Sequence, residues 1–200
     1  IRDNALAWSG HLVEGVSRRS AKPYQPEGYY GQLNFPKRTY EADTDDAQYR
    51  RGLYTHWQRT FLHPMLKAFD APSREECTAR RSRSNTPLQA LALLNDPTFV
   101  EAARVFAMRI CREGGADPTS RIQWAYETAL NRPPDDRIAA ALQSVYDTHM
   151  KHYTAAPDAA KALFAVGQAP CPEDIDPVQL ASSAAVARVI LNLHETITRY

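Results

Sequence analysis

The sequence predicts a mainly α-helical protein, an antiparallel helical bundle with a long irregular N-terminal segment wrapped on it. Asp-Pro pairs at 96–97, 117–118 and 176–177 each head a run with helical apolar spacing. An aspartate there caps the free N–H groups of a first turn, and a proline at the first helical position gives up an N–H that would have had no partner. The runs are joined by short connections, which favour helices that fold back on their neighbours. Between residues 17 and 85 the periodicity fades and prolines and glycines punctuate the chain.

Ile1, Ala5, Trp8 and Leu12 share one helical face, so residues 1–16 read as a helix stopping near Gly15. Pro23, Pro26, Gly28, Gly31 and Pro36 make the next stretch extended and irregular. Its tyrosines, Tyr24, Tyr29, Tyr30 and Tyr40, belong on the body of the protein because their rings bury much apolar area. In residues 48–59, Tyr49, Leu53 and Trp57 fit a helix while Leu53, Thr55 and Trp57 alternate as in a strand; the stretch reads as helix. Residues 61–83, with Pro64 and Pro72, read as surface-wrapping chain with a short helix starting near Ser73. Thr86, Pro87 and Gln89 form a capping box, and the run from Leu88 to Leu94, apolar nearly all round, is expected to be a buried helix.

Four stripes follow: Phe99, Ala103, Phe106 and Ile110; Ile122, Ala125, Tyr126, Ala129 and Leu130; Ile138, Leu142, Val145 and His149; Leu180, Ala184, Ala187, Leu191 and His194. The 200 residues thus divide into a helix (1–16), an irregular arginine-rich segment (17–85) and a bundle (86–200), read as a single domain. Starting at Ile1 without a leader, the chain reads as the C-terminal part of a larger protein, with any export signal upstream.

Hydrophobic residues make up 44% and charged residues 24%, a soluble globular composition with no apolar run long enough to span a bilayer. The net charge of +1 argues against a general nucleic-acid binder. Resolved along the chain it is −1, +5 and −3 for residues 1–49, 50–83 and 84–200. Seven of the eight cations in the middle segment are arginine: Arg50, Arg51, Arg59, Arg74, Arg80, Arg81 and Arg83, with Tyr54 and Trp57 among them. Arginine grips carboxylate, sulfate or phosphate bidentately and stacks on rings. These nine residues are the candidate binding face, for an acidic polysaccharide, a phosphate-bearing ligand or an acidic partner domain. The competing role is structural, with the arginines pairing to Asp70, Glu75, Glu76 and the acidic residues of 41–46.

No catalytic residue is assigned, since nucleophile elbow, phosphate loop and dinucleotide fingerprint are all missing. The alternative, a hydrolytic or redox-coupled enzyme acting on polysaccharide, would have to bring Asp70, Arg81 and Cys77 to a cleft. Cys77, Cys111 and Cys171 allow at most one intrachain disulfide. His56, His63 and Cys77 match no metal spacing, and Asp43, Asp45 and Asp46 lack the rest of a calcium loop, so no metal is expected. His149, His152 and His194 fall on predicted helices and read as packed, hydrogen-bonded residues.

Longer runs carry a resemblance. Arg50-Arg51, Leu53-Tyr54-Thr55, Trp57, Arg59-Thr60, then Phe69-Asp70-Ala71-Pro72-Ser73-Arg74-Glu75, Cys77-Thr78, Arg80-Arg81, Arg83, Asn85-Thr86-Pro87-Leu88-Gln89-Ala90-Leu91 and Leu93-Leu94-Asn95-Asp96-Pro97 resemble the signature of a planctomycete-type domain of unknown function (family fifteen-fifty-three, the PSD-one domain). The run from Lys22 to Gly28 and that from Leu191 to Arg199 also resemble it, so the likeness covers nearly the whole chain. It departs from the pattern at His56, where an aromatic is usual, at Gln58, where a basic residue is usual, and at His194, where an acid is usual. The resemblance implies a place at the C-terminus of a large bacterial protein, export to the periplasm or cell surface, and upstream domains as partners, including a cytochrome-c-like one. Any haem would belong to that upstream part, and no cofactor is expected in this chain. No activity or catalytic residue comes with the resemblance.

Overall fold

The computed structural model describes residues 1–16, 18–32, 37–58 and 61–198. Its helices are α1 (Arg2–Ser9), α2 (Pro64–Ala68), α3 (Pro87–Asn95), α4 (Pro97–Glu113), α5 (Pro118–Leu130), α6 (Asp136–Ala155), α7 (Pro157–Phe164), α8 (Pro177–Leu191) and α9 (His194–Ile197). Among the described residues there are isolated β-bridges but no strand. The fold is mainly helical, with helices packed on one another, as the sequence predicts. Two compact units form, one from residues 1–11 with 93–200 and one from residues 12–92.

In the first unit α4 and α8 pack on each other, α1 and α5 lie on α4, and α6, α7 and α9 lie on α8. The stripes read from sequence make the seam: Phe99, Ala103, Phe106 and Ile110 from α4, Ile122, Ala125, Tyr126 and Ala129 from α5, and Leu180, Ala184, Ala187 and Leu191 from α8 are all buried. A run of buried small residues, Ala181 to Ala185, lets neighbouring helices approach α8 closely. The longer helices α4, α5, α6 and α8 each have an aspartate cap, whereas α1, α7 and α9 have no side-chain cap. Asp96 accepts from Thr98 N–H at 2.9 Å, Asp117 from Ser120 N–H at 3.0 Å and Asp176 from Gln179 N–H at 2.8 Å. Asp135 does the same for α6 without a proline, accepting from Ile138 N–H at 2.7 Å.

One ionic arrangement lies inside this unit. Arg104, fully buried, and Glu101, 2% exposed, sit one turn apart on α4 with nitrogen and oxygen 3.9 Å from each other. Glu101 Oε1 accepts the backbone N–H of Gln168 and of Ala169, both at 2.5 Å. Arg104 donates to the carbonyls of Ala169 at 2.7 Å and of Val166 and Pro170 at 3.4 Å. Gly167, at φ 86°, approaches so closely that a Cβ would overlap the Glu101 carboxyl.

Several expectations are corrected. The first helix ends at Ser9, because Gly10 takes a left-handed φ of 80°, and it buries Arg2, Ala5, Leu6 and Ser9 rather than the stripe through Ile1 and Leu12. The helix expected over residues 48–59 is, up to residue 58, two short 3₁₀ turns, Asp46–Tyr49 and Gly52–Tyr54, followed by extended chain with isolated bridges. The strand-like alternation is not realised either, because Leu53 lies exposed in the second turn while Thr55 is buried; residue 59 lies outside the described residues. No helix starts near Ser73; α2 forms instead at Pro64, where His63 Nδ1 accepts from Met65 N–H at 3.3 Å. Helix α3 is buried only at Leu93: Leu88, Leu91 and Leu94 are 62%, 56% and 39% exposed. His152 and His194 are exposed, the latter because α8 stops at Leu191, whereas His149 is half-buried and stacked on Tyr153 at 5.8 Å.

Glu101→Ala should destabilise the protein by about 3–5 kcal/mol, because it leaves Arg104 buried without its counter-charge. Asp117→Ala, which removes only a cap, should cost about 1 kcal/mol. Urea denaturation compares the two, and equal small losses would show that the buried pair holds nothing together.

Candidate functional site

In residues 12–92 hydrogen bonds between extended segments set the frame. Val13 N–H donates to Tyr49 O at 3.1 Å, Ala21 N–H to Tyr54 O at 2.7 Å, and His56 N–H to Ala21 O at 2.6 Å. Three of the four tyrosines, Tyr29, Tyr30 and Tyr40, gather as their ring area predicts, and Tyr24 is half-buried. Tyr30 lies edge-on to Tyr40 at 5.2 Å and to Phe61 at 5.5 Å, and Tyr29 packs on Phe61 at 4.8 Å. Tyr40 closes the cluster by donating its hydroxyl to Pro23 O at 2.6 Å.

The arginine-rich part hangs from Asp70, just beyond the end of α2. Asp70 adopts a left-handed φ of 56°, which aspartate tolerates better than most residues. Its carboxylate accepts from the backbone N–H of Ser84 at 2.8 Å, from the Ser84 hydroxyl at 2.7 and 2.9 Å, and from Gln89 Nε2 at 3.3 Å. Gln89 also completes the predicted capping box, its Oε1 accepting from Thr86 N–H at 3.1 Å while Thr86 Oγ1 accepts from Gln89 N–H at 3.3 Å. Arg81 reaches back to the same base, donating to Asp70 O at 2.9 Å and Phe69 O at 2.5 Å. Residues 70–84 are thus a closed loop whose two ends are tied by one carboxylate and one guanidinium.

The predicted binding residues do not form one patch. Arg74, at φ 64°, lays its guanidinium over the ring of half-buried Trp57, 4.0 Å from the centroid. Arg81 is spent on the loop base. Arg80 and Arg83 are exposed and make no hydrogen bond or ion pair among the described residues. Arg50 donates to Arg19 O at 3.2 Å and helps line an open groove with Val13, Arg19, Asp45, Asp46 and Ala47. Arg51 is exposed and Tyr54 half-buried, its carbonyl committed to Ala21. Arg59 lies outside the described residues.

Of the acidic residues of 41–46, Asp43 and Asp45 pair with Arg19, at 2.5 Å and 3.3 Å. Counting charge by segment missed Arg19, which precedes the basic island. It also missed Ser84, for which only the neighbouring capping box gave a hint. Among the described residues no group of three or more His, Cys, Asp or Glu side chains could hold a metal, and no helix is long and apolar enough to cross a membrane. Cys77 and Cys171 are exposed thiols, and burial raises the Cys111 thiol above its usual range.

The family model described as "PSD1: Protein of unknown function (DUF1553)" matches residues 1–146, which include this loop. The chain belongs to the PSD1 family. Comparison with curated proteins and with solved structures found no match.

In this PSD1 chain the Ser84 hydroxyl, then its N–H, Gln89 and the Arg81 charge, hold the Asp70 carboxyl below its usual range. Such a group contributes stability that is fully present above its unfolded pKa and is lost as pH falls through the lowered folded value. Asp70→Asn should therefore expose residues 71–83 to limited proteolysis at neutral pH while the helical circular-dichroism signal persists, and the wild-type loop should open in the same way only below the usual carboxylate range. Equal cleavage of variant and wild type at every pH would show that the carboxylate does not tie the loop.

Proposed function

We propose that this PSD1 chain is a binding module of a large exported bacterial protein, and that its loop between Asp70 and Ser84 holds an anionic partner. One observation supports it: Arg81 is consumed by the loop's own backbone, while Arg80 and Arg83 beside it are exposed without partners among the described residues. A loop fixed at its base loses little further entropy when its guanidinium groups engage sulfate, phosphate or carboxylate. The motif runs add the expectation of a C-terminal place beside upstream domains, in the periplasm or at the cell surface. A hydrolytic or redox-coupled activity is less well supported, because the Asp70 carboxylate it would use is engaged by Ser84 and Gln89.

Heparin serves as the sulfated probe. Arg80→Ala combined with Arg83→Ala should lower heparin affinity about tenfold or more and flatten its salt dependence. The melting temperature should stay within about 2 °C, as for surface substitutions generally. Calorimetric titration at about 50 and about 200 mM salt reads the change. Unaltered affinity, or a large loss of melting temperature, would overturn the proposal.

A further inference from the structure

Arg74 stands in a backbone conformation that its side chain does not favour. At φ 64° a long, non-glycine residue is strained, and such strain persists only where the surroundings impose it. Ser73 and Glu75 close the turn around it, the Ser73 hydroxyl accepting from Glu75 N–H at 3.4 Å. The side chain reaches Trp57, where the guanidinium carbon lies 4.0 Å from the ring centroid, the separation of two flat groups in van der Waals contact. The backbone on either side of Trp57 is itself bonded, His56 N–H to Ala21 O at 2.6 Å and Phe61 N–H to Gln58 O at 2.6 Å.

Apart from that stack, exposed Arg74 makes no hydrogen bond or ion pair among the described residues, although two glutamates follow it in the chain. Five N–H donors therefore stand open on the rim of a flat group whose orientation is already set. A free guanidinium gives up rotamer freedom when it grips an anion; one already laid on an indole gives up less. Two features select the anion. An acceptor that takes two of these N–H groups lies in the guanidinium plane: a carboxylate is flat and fits it, whereas sulfate or phosphate carries an oxygen on each side, one of them toward the electron-rich face of the ring. Glu75 and Glu76, both exposed, repel a ligand whose negative charges are crowded together and accept hydroxyl donors.

Resting on the reading of this loop as a holder of anions, we propose that Arg74, laid on Trp57, binds the carboxylate of a uronic-acid residue flanked by neutral sugars in a polysaccharide, with Glu75 and Glu76 accepting its hydroxyl groups. Such a sugar joins one flat carboxylate to a ring that carries O–H donors. An acidic peptide fits less well, because it crowds its charges and brings no hydroxyl to the two glutamates.

The probe is a tetrasaccharide in which glucuronate alternates with N-acetylglucosamine. One control is the same molecule with its carboxyl groups reduced to alcohols, and another carries an equal number of sulfates and no carboxylate. Calorimetry on the whole chain should show the uronate form binding about tenfold or more tighter than the reduced form, a difference of about 1.4 kcal/mol, and tighter than the sulfated one. Arg74→Lys keeps the charge without the planar fork and should remove most of that preference. Arg74→Gly should remove all of it without lowering the melting temperature, because glycine accepts φ 64° without strain. The proposal is overturned if the wild-type chain does not distinguish the uronate from its reduced form, if the sulfated probe binds as tightly, if Arg74→Lys binds as wild type does, or if polyglutamate binds more tightly than the uronate probe. Heparin binding that depends on Arg80 and Arg83 without any preference for uronate would sink this inference and leave the anion-holding loop standing; uronate and heparin binding unmoved by every one of these arginine variants would sink both.

Discussion

Burying a carboxylate and a guanidinium one turn apart on α4 sets the terms for the larger unit. Both groups leave water at a cost of several kcal/mol per ion, which hydrogen bonds must offset. Backbone groups of residues 166–170 supply them to Glu101 Oε1 and to both terminal nitrogens of Arg104, while Arg104 Nε is buried without a partner among the described residues, and this places the connection between α7 and α8 against α4. The helices around it then follow from ordinary burial: α8, rich in alanine and serine, comes close, and α1 and α5 fill the remaining faces of α4. Neither Glu101 nor Arg104 could be exchanged alone for a neutral residue without leaving the other uncompensated.

The bundle was legible in the sequence because its signals are local. An aspartate followed by proline announces a helix start from two adjacent residues, and the apolar stripes of α4, α5 and α8 need only a period of 3.6. The buried pair was not legible, since Glu101 and Arg104 at i, i+3 look like a surface ion pair until the fold brings residues 166–170 to them. The error on α3 has the opposite origin. Leucines nearly all round a helix signal burial only if something in the domain covers them, and composition carries no information about that.

The candidate site was legible as a segment and illegible as a structure. Arginine density located residues 50–83, but charge counting treats all guanidinium groups alike. In the fold Arg74 lies on Trp57, Arg81 serves two backbone carbonyls, and Arg80 and Arg83 remain exposed. What separates these fates is the conformation of Asp70 and the position of Ser84, fourteen residues further along. Sequence spacing of that length is set by loop geometry and leaves no periodic trace.

Arg74 holds one further consequence. A left-handed backbone at a long, non-glycine residue costs roughly 1–2 kcal/mol, and arginine has no short polar side chain to relieve it locally. A cation over an aromatic ring at a partly exposed place returns about 0.5–1 kcal/mol. The ring returns only about half of that cost, so the stacked shape of the middle of the loop is held at a net cost that the rest of the fold must offset. Its ends are fastened by Asp70 and Arg81, but its shape is conditional on an indole that belongs to a different part of the chain.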